Sequence, residues 1–246
     1  MTDPLDVLGF PVHPVTQAEA VSRIAGAVDE GRKGYRHVAL NAAKVVAARR
    51  DPSLARCIRS ADLVTADGAG ILALARRLGR PLPERVTGID LMDRLCAESA
   101  RRGLSVYLLG AAPGVAGQAA DVLRGRHPGL RVAGVRAGDW TPDAEEEVVR
   151  TVRASGADLL FVALGTPRKE EFCARWGDAS GAGFVMGVGG AFDVVAGRVR
   201  RAPARLQRAG LEWAWRWAQE PVRLAPRYGL DGARFLGLLL RGERAA

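Results

Sequence analysis

Residues 61–88 read ADLVTADGAGILALARRLGRPLPERVTG. The stretch passes from a short apolar strand at 63–65 to Asp67 and Gly68. An apolar helix follows, then a proline-punctuated loop that ends in Glu84-Arg85-Val86. An acidic side chain at the carboxyl end of a strand, before Gly-x-Gly, stands where open α/β sheets hold their ligands. On that ground Asp67 is a candidate general base, and Arg85 a candidate clamp for a phosphate or carboxylate. The same Asp-Gly pair also fits a plain turn or a helix N-cap.

Outward from this stretch, the strand–helix alternation repeats. Short apolar strands are expected at 37–41, 104–109, 130–135, 158–164 and 184–188. Helices are expected at 16–30, 42–50, 52–60, 71–78, 90–102, 142–155 and 168–176. Residues 1–35 read as a polar start with a single amphipathic helix. Such units predict an α/β fold, a mostly parallel sheet covered on both faces. No internal repeat or low-complexity segment interrupts it.

Three further strand ends carry candidate ligand groups. The turn after 104–109, GAAPGVAG, begins at Gly110 and offers backbone N–H groups as an anion site, or is simply a tight strand-to-helix turn. Its glycines, Gly110, Gly114 and Gly117, are spaced too widely for a dinucleotide fingerprint. After 158–164, Gly165-Thr166-Pro167-Arg168-Lys169-Glu170 starts a helix with two cations. Cations there oppose the helix dipole, and an anionic ligand would explain them. After 184–188, Gly189-Gly190-Ala191-Phe192-Asp193 ends in a carboxylate able to hydrogen-bond a ribose or a base. Both segments also fit ordinary loop chemistry.

The texture changes beyond Gly197. Residues 197–246 hold eleven arginines against four carboxylates, a net +7 out of the chain's +9. A helix is expected at 204–219 with Leu206, Gly210, Trp213 and Trp217 along one stripe, broken by Pro221 and Pro226. Phe235, Leu236, Leu238, Leu239 and Leu240 follow between Arg234 and Arg241. This tail fits two settings, docking on its own domain or lying on an anionic membrane with Arg at the headgroups. The division expected is a core at 1–196 and a basic Trp/Leu-rich appendage at 197–246. Cys57, Cys96 and Cys173 are far apart and read as small buried apolar residues. The scattered His13, His37 and His127 give no zinc spacing. The first residues lack a signal peptide's pattern, and no apolar run is long enough to span a bilayer.

Taken together, Asp67-Gly68, Glu84-Arg85-Val86-Thr87-Gly88, LLGAAPGVA, GTPRKEEF, GVGGAFDVVAG, RRAP and GLEWAWRWAQEPVRLAPRY resemble the TagA/WecG/CpsF family of bacterial glycosyltransferases. The resemblance runs in order from about residue 37 to residue 235. It implies a Rossmann-like α/β core with a basic helical C-terminal appendage. It also implies an inverting transfer of N-acetylmannosamine or a relative from a UDP-sugar. The acceptor would be a polyprenyl-diphosphate-linked sugar at the inner face of the cell membrane, in teichoic acid or surface polysaccharide synthesis. By match of motif, Asp67 takes the base role. Asn41, Arg85, Gly110, Arg168, Lys169, Glu170, Gly189 and Asp193 fall to the donor. Arg201, Arg205, Arg216, Arg223 and Arg227 fall to the acceptor and the membrane.

This chain departs from the family's pattern at Lys169, which replaces a donor-contacting Gln, at Ala39, and at Gly138-Asp139-Trp140. Lys169 points to an acidic sugar or an added diphosphate contact. No Asp-x-Asp pair is present, so transfer without a metal or other cofactor is expected. The oligomeric state is left open, a homo-oligomer included. Two rival readings are a basic nucleic-acid-binding protein and an NAD(P)-dependent oxidoreductase. The confinement of charge to an Arg/Trp/Leu tail argues against the first, and the missing glycine fingerprint against the second.

Overall fold

The computed structural model describes residues 3–222 together with Gly232, Arg234, Phe235 and Gly237, Arg208 by its backbone only. The chain opens on a hairpin, β1 (Leu5–Val7) and β2 (Phe10–Val12). Its two-residue turn takes positive φ at both Leu8 (56°) and Gly9 (85°), the combination that matches strand twist. The sequence reading missed this hairpin. Its strands are only three residues long, and a leucine occupies a turn position that usually signals itself with Asn or Gly.

α1 (Gln17–Asp29) starts at a capping box between Thr16 and Glu19, then β3 (Tyr35–Leu40) enters the sheet. α2 (Ala42–Ala48), α3 (Pro52–Arg59), β4 (Leu63–Ala66), α4 (Ala69–Arg77) and α5 (Gly88–Arg102) follow. Next come β5 (Ser105–Gly110), α6 (Val115–Arg126), β6 (Arg131–Arg136), a 3-10 turn, α7 (Glu145–Ala154) and β7 (Leu159–Ala163). α8 (Arg168–Trp176), β8 (Phe184–Gly187) and α9 (Ala191–Val195) complete the alternation. The six strands β3 to β8 form one parallel sheet of order β4-β3-β8-β7-β5-β6, the α/β architecture expected.

Alternate residues of each strand feed opposite faces. Leu63, Val106, Leu108, Phe161, Phe184 and Met186 pack under α1, α5, α6 and α9. On the other face, Tyr107, Leu109, Leu160, Val162 and Val185 meet α7 and α8. There Val38, Leu40, Val64 and Ala66 meet α2, α3, α4 and the hairpin. β6 is an edge strand whose outward residues are exposed, and Arg131 and Arg136 bound it.

The single helix expected at 204–219 is two, α10 (Ala204–Arg208) and α11 (Glu212–Gln219). Gly210 breaks it with φ +72°, because the chain passes so close to Ala69 that a Cβ at Gly210 would stand 2.5 Å from the Ala69 Cβ. Further on, Phe235 is buried in the cluster under the hairpin, its ring lying against Gly70. Among the described residues no helix is long and apolar enough to cross a membrane.

Candidate active site

The carboxyl ends of β4, β3, β8 and β7 open into one cavity of about 790 Å³, roofed by residues 200–216 together with Gly232 and Phe235. A volume of several hundred Å³ suits a nucleotide-sized ligand. Among the described residues on its lining, six side chains are cationic (Lys44, Arg85, Lys169, Arg200, Arg201, Arg216) and three are acidic (Asp67, Asp193, Glu212). That two-to-one excess makes the cavity an attractor for anions.

Asp67 follows β4 directly, and its backbone is fixed from below, where its N–H donates to the Leu40 carbonyl at 2.7 Å. The next carbonyl back, Ala66, accepts from Val86 at 2.9 Å, which brings the Arg85 loop beside it. The half-buried Asp67 carboxyl lines the cavity. Gly68 follows with φ +118°, a conformation that glycine adopts without strain, and leads the chain into α4. Asn41 caps α2, its Oδ1 accepting from the Lys44 N–H at 3.0 Å, and lines the same wall.

Arg85 does not stand alone. Its guanidinium pairs with Glu212 of α11 at 3.2 Å, and the other oxygen of Glu212 faces Arg201 at 3.4 Å. Arg201 in turn makes a two-pronged contact with Asp90 of α5, both bonds 2.7 Å. Burial pushes the Asp90 carboxyl up, but the bonds from Arg201 and Thr87 outweigh it and hold it below the ordinary carboxylate range. This alternating chain of charges ties the roof to the body.

At the opposite wall, the Lys169 stem lies along Gly187, where an added Cβ would sit 3.0 Å from its Cδ. Its ammonium reaches Glu170 at 2.7 Å and donates to the Thr166 hydroxyl. Asp193 of α9 and Gly189 lie beside it on the lining, and the Arg216 guanidinium rests over Gly190.

Asn41, Asp67, Arg85, Lys169, Gly189, Asp193, Arg201 and Arg216 thus share one cavity. Gly110 and Arg168 are not on its lining. Gly110 abuts the Ala163 carbonyl, and Arg168 turns away to donate to the Trp140 carbonyl at 2.8 Å, with its guanidinium over the Trp140 ring at 5.2 Å. That contact answers locally for a cation at the start of α8, which the sequence reading assigned to a ligand. Gly138, Asp139 and Trp140, where the chain departs from the family's pattern, are off the lining too. Trp140 is buried against Phe172 in the core beside α7 and α8. Glu170 sits behind Lys169, and Arg205 is exposed away from the cavity. Arg223 and Arg227 lie outside the described residues.

Sequence reasoning missed Lys44 and Glu212. Lys44 reads as one more solvated helix lysine, and only its place three residues after Asn41 hints otherwise. Glu212 was quoted within the GLEW motif, but its partners are 127 and 11 residues away. Cys96 and Cys173 are buried as expected, with their thiols pushed up to about 12 by burial, whereas Cys57 is half-buried. Among the described residues no group of three or more His, Cys, Asp or Glu is placed to hold a metal ion.

Two comparisons with known proteins bear on this cavity. The family model described as the glycosyl transferase WecG/TagA/CpsF family matches residues 5–246. Among curated proteins, the N-acetylglucosaminyldiphosphoundecaprenol N-acetyl-beta-D-mannosaminyltransferase of Bacillus spizizenii is 31% identical over 245 residues. The alignment covers 100% of this chain and 93% of that protein.

Proposed function

Since this chain belongs to the WecG/TagA/CpsF family of glycosyltransferases, we propose that it transfers N-acetylmannosamine or a close relative from UDP to a polyprenyl-diphosphate-linked sugar, with inversion. The observation that carries this reading is a carboxylate, Asp67, held at a strand end on a cavity where, among the described residues, cations outnumber acids two to one.

In the proposed reaction the Asp67 carboxylate takes the proton from the acceptor hydroxyl. The resulting oxygen attacks the anomeric carbon from the face opposite the nucleotide. The bond from that carbon to the β-phosphate oxygen breaks, and UDP leaves with the electron pair. Arg85, Arg201 and Arg216 steady its growing charge, and Asp193 meets the nucleoside. Among the described acids on the lining, Asp67 is the one that follows β4 directly and stands on the wall with Asn41. Holding a diphosphate with guanidinium and ammonium groups supports transfer without a metal.

The acceptor end of the reading rests on α11. Trp213 and Trp217, one helical turn apart, are 47% and 38% exposed, and Leu211 and Val222 flank them. Exposed Trp and Leu among arginines suit the headgroup boundary of an anionic membrane. The enzyme would then work as a peripheral protein on the inner membrane face, on acceptors made for surface polysaccharide or teichoic acid.

The test is a transfer assay with UDP-N-acetylmannosamine and a synthetic polyprenyl-diphosphate N-acetylglucosamine. UDP release together with a lipid-linked disaccharide is the expected result, unchanged by chelator. Loss of activity on chelation and its return with manganese would overturn the metal-free part. Flotation with anionic liposomes, set against a salt-titrated DNA gel shift, separates the membrane reading from its nucleic-acid rival.

A further inference from the structure

Beneath Asp67 and Arg85 the sheet buries a polar pair that the proposed reaction does not use. His37 on β3 and Thr65 on β4 are 2% and 0% exposed. Strand alternation sets both on the face of Tyr35 and Leu63, in the largely apolar layer under α1 and α5. Two apolar side chains would pack there without desolvating a ring and a hydroxyl, so filling the layer does not explain the pair.

The hydrogen bonds run in one direction. His37 Nε2 lies 2.8 Å from Thr65 Oγ1, and the Thr65 hydroxyl donates to the buried Val86 carbonyl at 3.3 Å. Burial, and then the charge of Lys44, drive His37 down to about 3, so the ring is neutral and carries one N–H. With the Thr65 proton directed at Val86, Nε2 is the nitrogen that donates, and Nδ1 is left as an unpaired acceptor. The opposite tautomer would draw the Thr65 proton away from Val86 and leave Nδ1–H with no acceptor among the described residues. That makes two unpaired buried groups in place of one. An N–H donated into the Thr65 oxygen also strengthens the bond that its hydroxyl makes onward.

Val86 is thereby gripped at both polar groups, its N–H by the Ala66 carbonyl at 2.9 Å and its carbonyl by Thr65. Arg85 precedes Val86, and Asp67 follows Ala66. Two consecutive residues of β4 therefore set the backbone of the guanidinium against that of the carboxylate. Neither His37 nor Thr65 lines the cavity.

We propose that Thr65 and His37 are positioning residues: a relay from His37 through the Thr65 hydroxyl to the Val86 carbonyl holds the Arg85 loop in place beside Asp67. The proposal rests on the donor reading of Arg85 above and adds two residues that act through it.

The test is steady-state transfer from UDP-N-acetylmannosamine by the full chain, in wild type, Thr65→Val and Thr65→Ser, with thermal melts to establish folding. Thr65→Val keeps the side chain's shape and removes the hydroxyl. It should lower kcat/KM by about fivefold to tenfold, chiefly through KM, and Thr65→Ser should recover all but about twofold, as for one hydrogen bond. In an Arg85→Ala background, Thr65→Val should cost nothing further, because the residue it acts through is gone. A packing role would lower the melting temperature and leave kcat/KM of the folded protein unchanged, or add its full loss to that of Arg85→Ala. Either result overturns the relay, as does a Thr65→Ser variant no better than Thr65→Val. If Thr65→Val does not fold, Thr65→Ala replaces it in both backgrounds.

A second readout needs neither substrate nor a change at the pair. Long-range proton–nitrogen spectra at pH 7, with His13 and His127 replaced by Gln in turn to assign His37, should show a protonated Nε2 and a bare Nδ1. The opposite tautomer overturns the relay whatever the kinetics. If wild type neither binds nor uses a UDP-sugar, the donor reading fails, and the tautomer alone decides whether the relay stands.

Discussion

Of the glycine turns at the carboxyl edge of this sheet, the one after β5 stays off the cavity lining and the one after β8 lies on it. In the first, the Ala111 N–H donates to the Ala163 carbonyl and the Gly138 N–H to the Ala111 carbonyl, both at 2.7 Å. Its polar groups are engaged in stitching β5 to its neighbours. In the second, Gly189 and Gly190 lie on the cavity lining and the Arg216 side chain rests on Gly190. Local sequence does not separate them. Strand order does, because β5 lies one strand beyond β7, and the roof formed by residues 200–216 spans only the ends of β4, β3, β8 and β7. A strand's carboxyl end is a necessary address for a ligand and an insufficient one.

The largest expected effect tests the cavity side. Asp67→Asn should lower turnover by about a hundredfold or more, as for loss of a general base, while UDP binding and melting temperature stay near wild type. Near-normal turnover would remove Asp67 as the base. The other side of the comparison is tested by Gly110→Ala. At φ +113° the new methyl is strained and collides with the Ala163 carbonyl. Denaturant titration should show a loss of about 1–3 kcal/mol. A Gly110 variant that stayed stable yet lost UDP affinity would return the first turn to the list of ligand sites.

A smaller effect concerns pH. His37 lies under the cavity side, buried, with Nε2 2.8 Å from the Thr65 hydroxyl, and its folded pKa falls to about 3 from 6.5. Between those values the unfolded chain binds one proton more than the folded one, so stability drops as pH falls below 6.5. The slope is about 1.4 kcal/mol per pH unit for this one group. Urea titrations at pH 7, 6 and 5 should show that slope flattened in His37→Gln. An unchanged slope would mean that His37 is not kept neutral in the fold. The smallest effect is expected at Gly190→Ala, where the added methyl meets only the end of the Arg216 side chain at 2.7 Å. Stability should hold within about 0.5 kcal/mol. UDP affinity should fall several-fold as Arg216 is displaced, and an unaltered affinity would detach Arg216 from the ligand.

Legibility in the sequence followed the range of the forces involved. The strands and helices of the alternation could be read because apolar runs, caps and breakers act within a few residues, and α8 was read to its last residue. The hairpin at β1 and β2 escaped because its two strands are three residues each and its turn is Leu8-Gly9. The place of Arg168 was not legible because its partner, the Trp140 carbonyl, comes from a different loop.

By itself, the sequence determined the α/β alternation, the acid after β4 and the concentration of positive charge beyond Gly197. Each of these is a property of residue order and composition. Tertiary structure alone decided which strand ends share a cavity, that Glu212 holds Arg85 and Arg201, and that Lys44 and Lys169 converge on Glu170. Those outcomes depend on strand order and on contacts such as Arg85 to Glu212 and Lys44 to Glu170, more than a hundred positions apart, and no local pattern encodes a distance of that kind.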